Sequence, residues 1–392
     1  MNIVVITTHY PKCNCDNGNT SLADHYFARE WVKAGHNVRV YHIQPALFLK
    51  TKNNVSKQFE TYEIDNVSIK YLKVLRPIPH STWLPNCVIK RVASQVIADL
   101  QDFSDQIDLF FCDFCSDNWG FISFLKNSPQ FRDSWFVPVF NNCDFKDAKL
   151  ARKIVDESDV IGVRSQGQKQ RILDIDRDAD VFVALSGAPV CSAEQISKKI
   201  NNLQAKQIVY AGNLIPLKNV DVLLKAVNML KDNYDLLVTI VGDGVERAAL
   251  EQFVNDHELS DIITFTGVLP RQQTLEMMLE GDIFAMASSP ETFGIVYLEA
   301  MANACYPIGC IGEGIDGVIK TGYNGALVPA RDVDALAQAI REYICLSQEE
   351  KKVIIANALN TADAYSEKNV ANMILKDIVE LWNKKLQKKK SE

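Results

Sequence analysis

The sequence predicts an α/β protein built from two doubly wound domains, and three observations lead there. A chain of 392 residues is longer than one hydrophobic core ordinarily serves. Short apolar runs alternate with helix-length amphipathic segments, the pattern of parallel strands joined by crossover helices. The alternation lapses over the polar stretch Cys191 to Lys206 and then restarts. The expected divisions are a first domain over 1–190, a linker over 191–206, a second domain over 207–365 and a closing segment over 366–392.

Asn2 to Thr7 is a near-continuous apolar run, as a strand buried on both faces shows. A polar loop from Pro11 to Thr20, containing Gly18, leads to a helix over Leu22 to Ala34 that stops at Gly35, and a second strand covers Asn37 to His42. Strand-like pieces run from Tyr62 to Val74, Arg76 to His80 marks a loop, and Val88 to Leu100 has helical spacing. Ile107 to Cys112 is a buried strand leading into Asp113. Trp135 to Asn141 is another, ended by Asn142, Cys143 and Asp144, and Val160 to Val163 and Val181 to Leu185 complete the first set.

The second half repeats this grammar. The strand Ile208 to Tyr210 precedes a loop with Gly212, Asn213 and Lys218 and a helix from Val220 to Leu230. Leu236 to Val241 ends in Gly242, Asp243 and Gly244, with a helix over Glu246 to His257; Ile262 to Phe265 ends in Gly267, Val268 and Pro270, with a short helix that closes over Glu276 to Glu280. Ile283 to Ala287 is a strand, Ser288 to Pro290 a turn, and a helix resumes at about Gly294 with Ile295, Leu298 and Met301 on one face. Ile308 to Ile311 and the glycine-bearing stretch Gly322 to Pro329 follow. Ser366 can cap a last helix with apolar positions Val370, Met373, Ile374, Leu381 and Trp382. With no tandem strands, this half predicts a parallel sheet.

The junction after Ile283 to Ala287 carries the chemistry. A strand, a polar loop and a helix N-terminus in direct succession aim backbone N–H groups and the positive end of a helix dipole at one spot, where a phosphate fits. Glu291 lies in that loop and Glu299 about a turn and a half into the helix, so they reach different parts of one elongated ligand.

This stretch resembles the E-x7-E signature of the retaining GT-B glycosyltransferases of family 4. The resemblance implies two Rossmann-like domains facing across a cleft, with Glu291 at the transferred sugar, Glu299 at the ribose hydroxyls, and the amides of Phe293, Gly294, Ile295 and Val296 at the diphosphate. The loop from Gly212 to Lys218 resembles the family's G-R-x-x-x-x-K-G loop, with Asn213 at the arginine position, so phosphate binding falls more heavily on Lys218 and the helix N-terminus. Glu291 and Lys218 are the implied catalytic pair, and the Gly267–Val268 turn is implied near the base. In the first half, Gly18 is what remains of a glycine-rich loop, and Cys143 stands where relatives often have histidine; Gly18, Cys143, Asp113 and Asp144 are the acceptor-side candidates. The implied reaction moves a sugar from a nucleotide donor, a UDP-sugar, to a hydroxyl of a glycan or lipid-linked acceptor in bacterial-type surface polysaccharide or glycoconjugate synthesis. No cofactor and no metal are expected. Two alternatives stay open: a non-catalytic sugar-nucleotide-binding partner subunit, motivated by Asn213 and Cys143, and a nucleotide-sugar epimerase of the same fold.

Composition narrows the classes. A net charge of −7 and a pI near 5.5 argue against a nucleic-acid binder. No run approaches the roughly 20 apolar residues of a membrane span, and a cytoplasmic protein is expected, with the basic run Lys384 to Lys390 read as a solvated tail or, alternatively, as a weak peripheral contact with anionic lipid. The ten cysteines, irregularly spaced, read as reduced thiols; Cys13, Cys15, Cys112, Cys115 and Cys143 fall at strand ends but lack the histidine partners of a zinc site. The acidic strings Asp174–Asp176 and Asp332–Asp334 read as surface. No nucleophile elbow or P-loop is present.

Overall fold

Continuous apolar runs need cover on both faces, and the helices between them provide it. The computed structural model describes residues 1–8, 10–11, 23–47, 59–76, 86–104, 106–113, 119–140, 147–189, 192–291 and 293–391. Gly18, Cys143 and Asp144 lie outside the described residues, as do Cys13, Cys15 and Cys115. The chain divides into two units, Met1–Ser186 with Val370–Glu392, and Gly187–Asn369.

The first unit runs β1 (Asn2–Thr7), α1 (Ala23–Lys33), β2 (Asn37–Leu47), β3 (Glu60–Ile64), β4 (Val67–Arg76), α2 (Asn86–Gln101), β5 (Leu109–Asp113), α3 (Trp119–Lys126), β6 (Trp135–Phe140), α4 (Ala148–Glu157), β7 (Ile161–Val163), α5 (Gln166–Ile175) and β8 (Val181–Val183). The strands line up as β3-β4-β2-β1-β5-β6-β7-β8. All neighbours are parallel except the edge pair β3 and β4. That pair turns at Asp65 and Asn66, both at positive φ (51° and 63°), which these two residue types tolerate and a tight hairpin requires. The broken strand pattern of Tyr62 to Val74 is this hairpin, an antiparallel edge on an otherwise parallel sheet. Strand β1 is central, and Ile3, Val4, Val5 and Ile6 are wholly buried. Phe27 and Trp31 of α1 meet Phe111 of β5 edge to face.

The second unit begins with α6 (Ala193–Ile200), so the stretch expected to be a linker is in part a helix. Its one buried apolar residue, Ile196, is too little to give a periodic signal. Lys199 anchors it by donating to the carbonyls of Met278, Gly281 and Asn303. There follow β9 (Gln207–Ala211), α7 (Val220–Leu230), β10 (Leu237–Val241), α8 (Arg247–Asp256), β11 (Ile263–Gly267), α9 (Arg271–Glu280), β12 (Ile283–Ala285), α10 (Ile295–Ala302), β13 (Tyr306–Cys310), β14 (Ala326–Val328), α11 (Val333–Cys345) and α12 (Gln348–Ala364). The sheet order is β11-β10-β9-β12-β13-β14 with every neighbour parallel. At its carboxyl edge three turns pack backbone to backbone: Gly212 N donates to Val241 O at 3.0 Å and Gly242 N to Gly267 O at 2.8 Å. A Cβ on Gly242, which sits at φ +133°, would lie 1.9 Å from Gly212 O, so only glycine fits there.

The closing helix α13 (Glu367–Ser391) is capped by Ser366, whose Oγ accepts from Asn369 N at 3.4 Å. From Val370 onward it belongs to the first unit. Trp31 Nε1 donates to Ala371 O at 2.9 Å, and Trp382 stacks on Trp135 with centroids 4.9 Å apart. The basic run expected to be a solvated tail starts inside this helix. Its first two lysines pair with acidic residues of the same unit, Lys384 with Asp180 at 3.7 Å and Lys385 with Asp159 at 2.8 Å. Among the described residues no helix is long and apolar enough to cross a membrane.

Candidate active site

The densest gathering of sequence-selected residues is at the carboxyl edge of the second sheet, where β9 and β12 lie side by side. After β12 the chain stays buried through Met286, Ala287 and Ser288 and is tied to the loop before α7: Ser289 N donates to Leu217 O at 2.9 Å and Ser288 Oγ to the same carbonyl at 3.3 Å. From the other side, Asn219, which opens α7 in the left-handed region at φ 48°, donates through Nδ2 to Ala287 O at 2.7 Å. Two loops that are 70 residues apart in sequence are thereby held as one surface.

Lys218 and Glu291 meet on that surface. Lys218 Nζ lies 2.5 Å from Glu291 Oε2, with the lysine side chain 21% exposed and the glutamate 12%. Ser288 Oγ donates to the same oxygen at 3.1 Å. Glu313, which the sequence reading passed over, accepts from the backbone N–H of Glu291 at 2.5 Å. An ammonium carries three N–H donors, so Lys218 can keep Glu291 and still bind a phosphate oxygen.

Helix α10 starts beside this pair. Gly294 sits at φ +75°, and a Cβ there would lie 2.7 Å from the Tyr297 ring, which accounts for glycine at the helix N-cap. Tyr297 is locked beneath, its hydroxyl donating to Met286 O at 2.6 Å and its ring edge-on to Phe284; burial pushes its phenol well up. The amides of Ile295 and Val296 precede the helix's own acceptors and sit at the positive end of the dipole, while that of Tyr297 donates to Gly294 O at 3.0 Å. Phe293 is buried beside them.

Glu299 is 8% exposed; its Oε1 accepts from Arg271 Nε at 2.9 Å and lies 2.8 Å from Nη2 as an ion pair. Arg271 also reaches Glu367 at 3.4 Å. Sequence reasoning missed Arg271, although one signal was there: a cation at the first position of a helix opposes the dipole and needs a local carboxylate to hold it.

The remaining second-unit candidates border the same edge. Asn213 is exposed, and its carbonyl accepts from Tyr210 Oη at 3.0 Å. Gly267 adopts φ +75°, and Val268 is 65% exposed. Arg247, also unselected, lies alongside: a Cβ on Gly267 would stand 3.4 Å from its Nη1, which pairs with Asp243 at 3.2 Å.

Asp113, an acceptor-side candidate, is described in the first unit. It closes β5 in the first unit and pairs with Arg164, whose Nη2 also holds Asp24 Oδ1 at 2.9 Å. Asp24 is 1% exposed and its Oδ2 meets no donor among the described residues. Burial, and after it the charge of Asp113, pushes the Asp24 carboxyl well above the usual carboxylate range. The acidic strings are structural: Asp174 accepts from Gln170, Asp176 from the Asp178 amide, and Asp332 caps α11 by accepting from Ala335 N at 2.9 Å.

Residues 192–361 match the family described as "Glycosyl transferases group 1". The chain is 28% identical to D-inositol 3-phosphate glycosyltransferase of Corynebacterium urealyticum over 251 residues, which cover 59% of this chain and 58% of that protein. The chain spans between about two fifths and three fifths of the length of the curated relatives it matches. Among solved structures it is similar to sucrose-phosphate synthase from Thermosynechococcus elongatus (TM-score 0.70, 17% identity, 97% of this chain and 99% of that one). It is also similar to Anabaena HepE in complex with UDP and glucose (TM-score 0.68, 16% identity, 97% and 100%). These likenesses show the fold, two Rossmann-like α/β units of the GT-B kind.

Proposed function

We propose, from the premise that residues 192–361 are a domain of the group 1 glycosyl transferases, that this chain is a retaining glycosyltransferase that moves a sugar from a nucleotide donor to an acceptor hydroxyl. The observation that carries the reading is the Lys218–Glu291 pair at the mouth of α10, with Glu299 fixed farther along the same helix. Lys218 and the first turn of α10 take the diphosphate, Glu299 takes the ribose, and the Gly267–Val268 turn borders the base. Glu291 stands at the sugar, where its charge complements an oxocarbenium as the bond from the anomeric carbon to phosphate breaks. The acceptor oxygen then bonds to the anomeric carbon on the same face, and its proton passes to the departing phosphate oxygen, so no protein base is needed. A UDP-sugar is the proposed donor, supported by the UDP and glucose bound to HepE, and a glycan or lipid-linked alcohol the proposed acceptor.

The test is a panel of UDP- and GDP-sugars incubated with the full chain, with and without alcohol acceptors, while free nucleotide and sugar products are followed. Acceptor-stimulated release of nucleoside diphosphate is expected. A donor isomerised with no acceptor present would mark an epimerase, and donor binding without turnover under any condition would mark a non-catalytic binder.

A further inference from the structure

We infer that Arg271 is a positioning residue that makes one oxygen of Glu299 a dedicated receptor for the two ribose hydroxyls, and so sets the preference for ribonucleotide donors. The inference rests on the reading of Glu299 as the ribose contact. Nε and Nη2 of the same guanidinium both bind Oε1, at 2.9 and 2.8 Å. Both contacts converge on one oxygen, so the fork turns Oε1 to the guanidinium. The two acceptor sites of Oε2 are those that a vicinal diol engages.

The geometry of the clamp is set from three sides. Arg271 is the first residue of α9, directly after the turn that begins at Gly267, so its backbone moves with the loop placed at the base. Glu367 steadies the far edge of the guanidinium at 3.4 Å. Asn303 Nδ2 donates to the Glu299 carbonyl at 2.8 Å and secures the glutamate backbone from below. A planar fork holds the carboxylate in one orientation, which a point charge on a flexible stem does not do. Lysine at this position keeps the charge and loses the orientation.

The test measures, by calorimetry on the full chain, the affinity of UDP and GDP and of their 2′,3′-dideoxy counterparts, and compares whichever pair binds the wild type more tightly. The wild type is expected to favour the ribonucleotide by about 10-fold or more, as the loss of hydrogen bonds to a charged acceptor implies. Arg271→Lys is expected to shrink that preference to about 3-fold or less while its affinity for the dideoxy nucleotide stays within about 3-fold of the wild type. Arg271→Gln, which keeps planar N–H donors, should recover part of the preference, and it carries the test if the lysine variant does not fold. An unchanged preference in the variants, including one in which both affinities fall by the same factor, overturns the positioning role alone. A wild type that binds neither nucleotide, or does not distinguish ribose from dideoxyribose, overturns the ribose role of Glu299 and the positioning role with it.

Discussion

The two units carry charge at the same place, the carboxyl edge of a parallel sheet, and use it in opposite ways. In the first unit Arg164 is sunk between Asp24 and Asp113, with side-chain exposures of 11%, 1% and 10%. Two carboxyl groups share one guanidinium, and burial raises the Asp24 carboxyl above the ordinary carboxylate range. In the second unit Lys218 and Arg271 are 21% and 30% exposed; Lys218 faces Glu291, and Arg271 faces Glu299 and, at 3.4 Å, Glu367. The first cluster ties α1 to the strand ends. The second brings its two cations closer to solvent. Position on the fold therefore does not by itself mark a ligand site; the exposure of the cation, 11% against 21% and 30%, distinguishes the two.

The strongest way to break that contrast is Arg164→Met. Removing the cation strands two carboxyl groups together in the interior, and stability is expected to fall by roughly 3–5 kcal/mol, read from urea unfolding of the first unit's transition. Equal stability of the variant and the wild type would mean that the cluster is not structural. The pH arm has a definite sign. Asp24 has a raised folded value, so it binds its proton more tightly folded than unfolded; the stability it contributes is present below the ordinary carboxylate range and is lost as pH rises through the raised value. Asp24→Asn, which does not titrate, should therefore gain on the wild type as pH rises from about 4.

Smaller effects, on function and not on folding, are expected at the second edge. Glu291→Gln removes a charge that matters most as the sugar becomes cationic, and turnover should fall by about 100-fold with a lesser change in nucleotide affinity. Glu299→Gln should weaken nucleoside diphosphate binding by roughly 10- to 100-fold, because charge-assisted hydrogen bonds to the ribose are worth about 1.5–3 kcal/mol. Normal turnover and affinity in both variants would show these carboxylates to be solvated charges.

What could be read in the sequence divides along the same physical line. Strands buried on both faces, glycines at positive φ and the loop-to-helix junction at Gly294 are local signals, and β9 to β12 follow them, whereas β14 lies in a stretch not read as a strand and follows β13 with no helix between, against the expectation of no tandem strands. The partners of the two glutamates are not local. Arg271 is 28 positions from Glu299, and Glu313 is 22 from Glu291; nothing in spacing alone joins them. Helix α6 was hidden because its hold on the unit is a lysine reaching three carbonyls and not an apolar stripe. The partner of Asp113 is likewise distant, Arg164 lying 51 residues away.

The smallest effect proposed is none at all, and it sharpens the contrast between the edges. A diphosphate leaving group needs positive charge, which either a metal held by carboxylates or the protein itself supplies. Lys218 and the α10 dipole lie together at the proposed diphosphate position, whereas the acidic strings that might have held a metal are spent elsewhere, Asp332 on a helix cap and Asp174 and Asp176 on neighbours along and beyond α5. Glu291 and Glu299 are each neutralised by a cation of their own, which weakens their pull on a divalent ion. Turnover is therefore expected to persist in excess EDTA at its untreated rate. Loss of turnover in EDTA with recovery on added Mg²⁺ or Mn²⁺ would place a metal at the leaving group and reassign Lys218 to holding Glu291 alone.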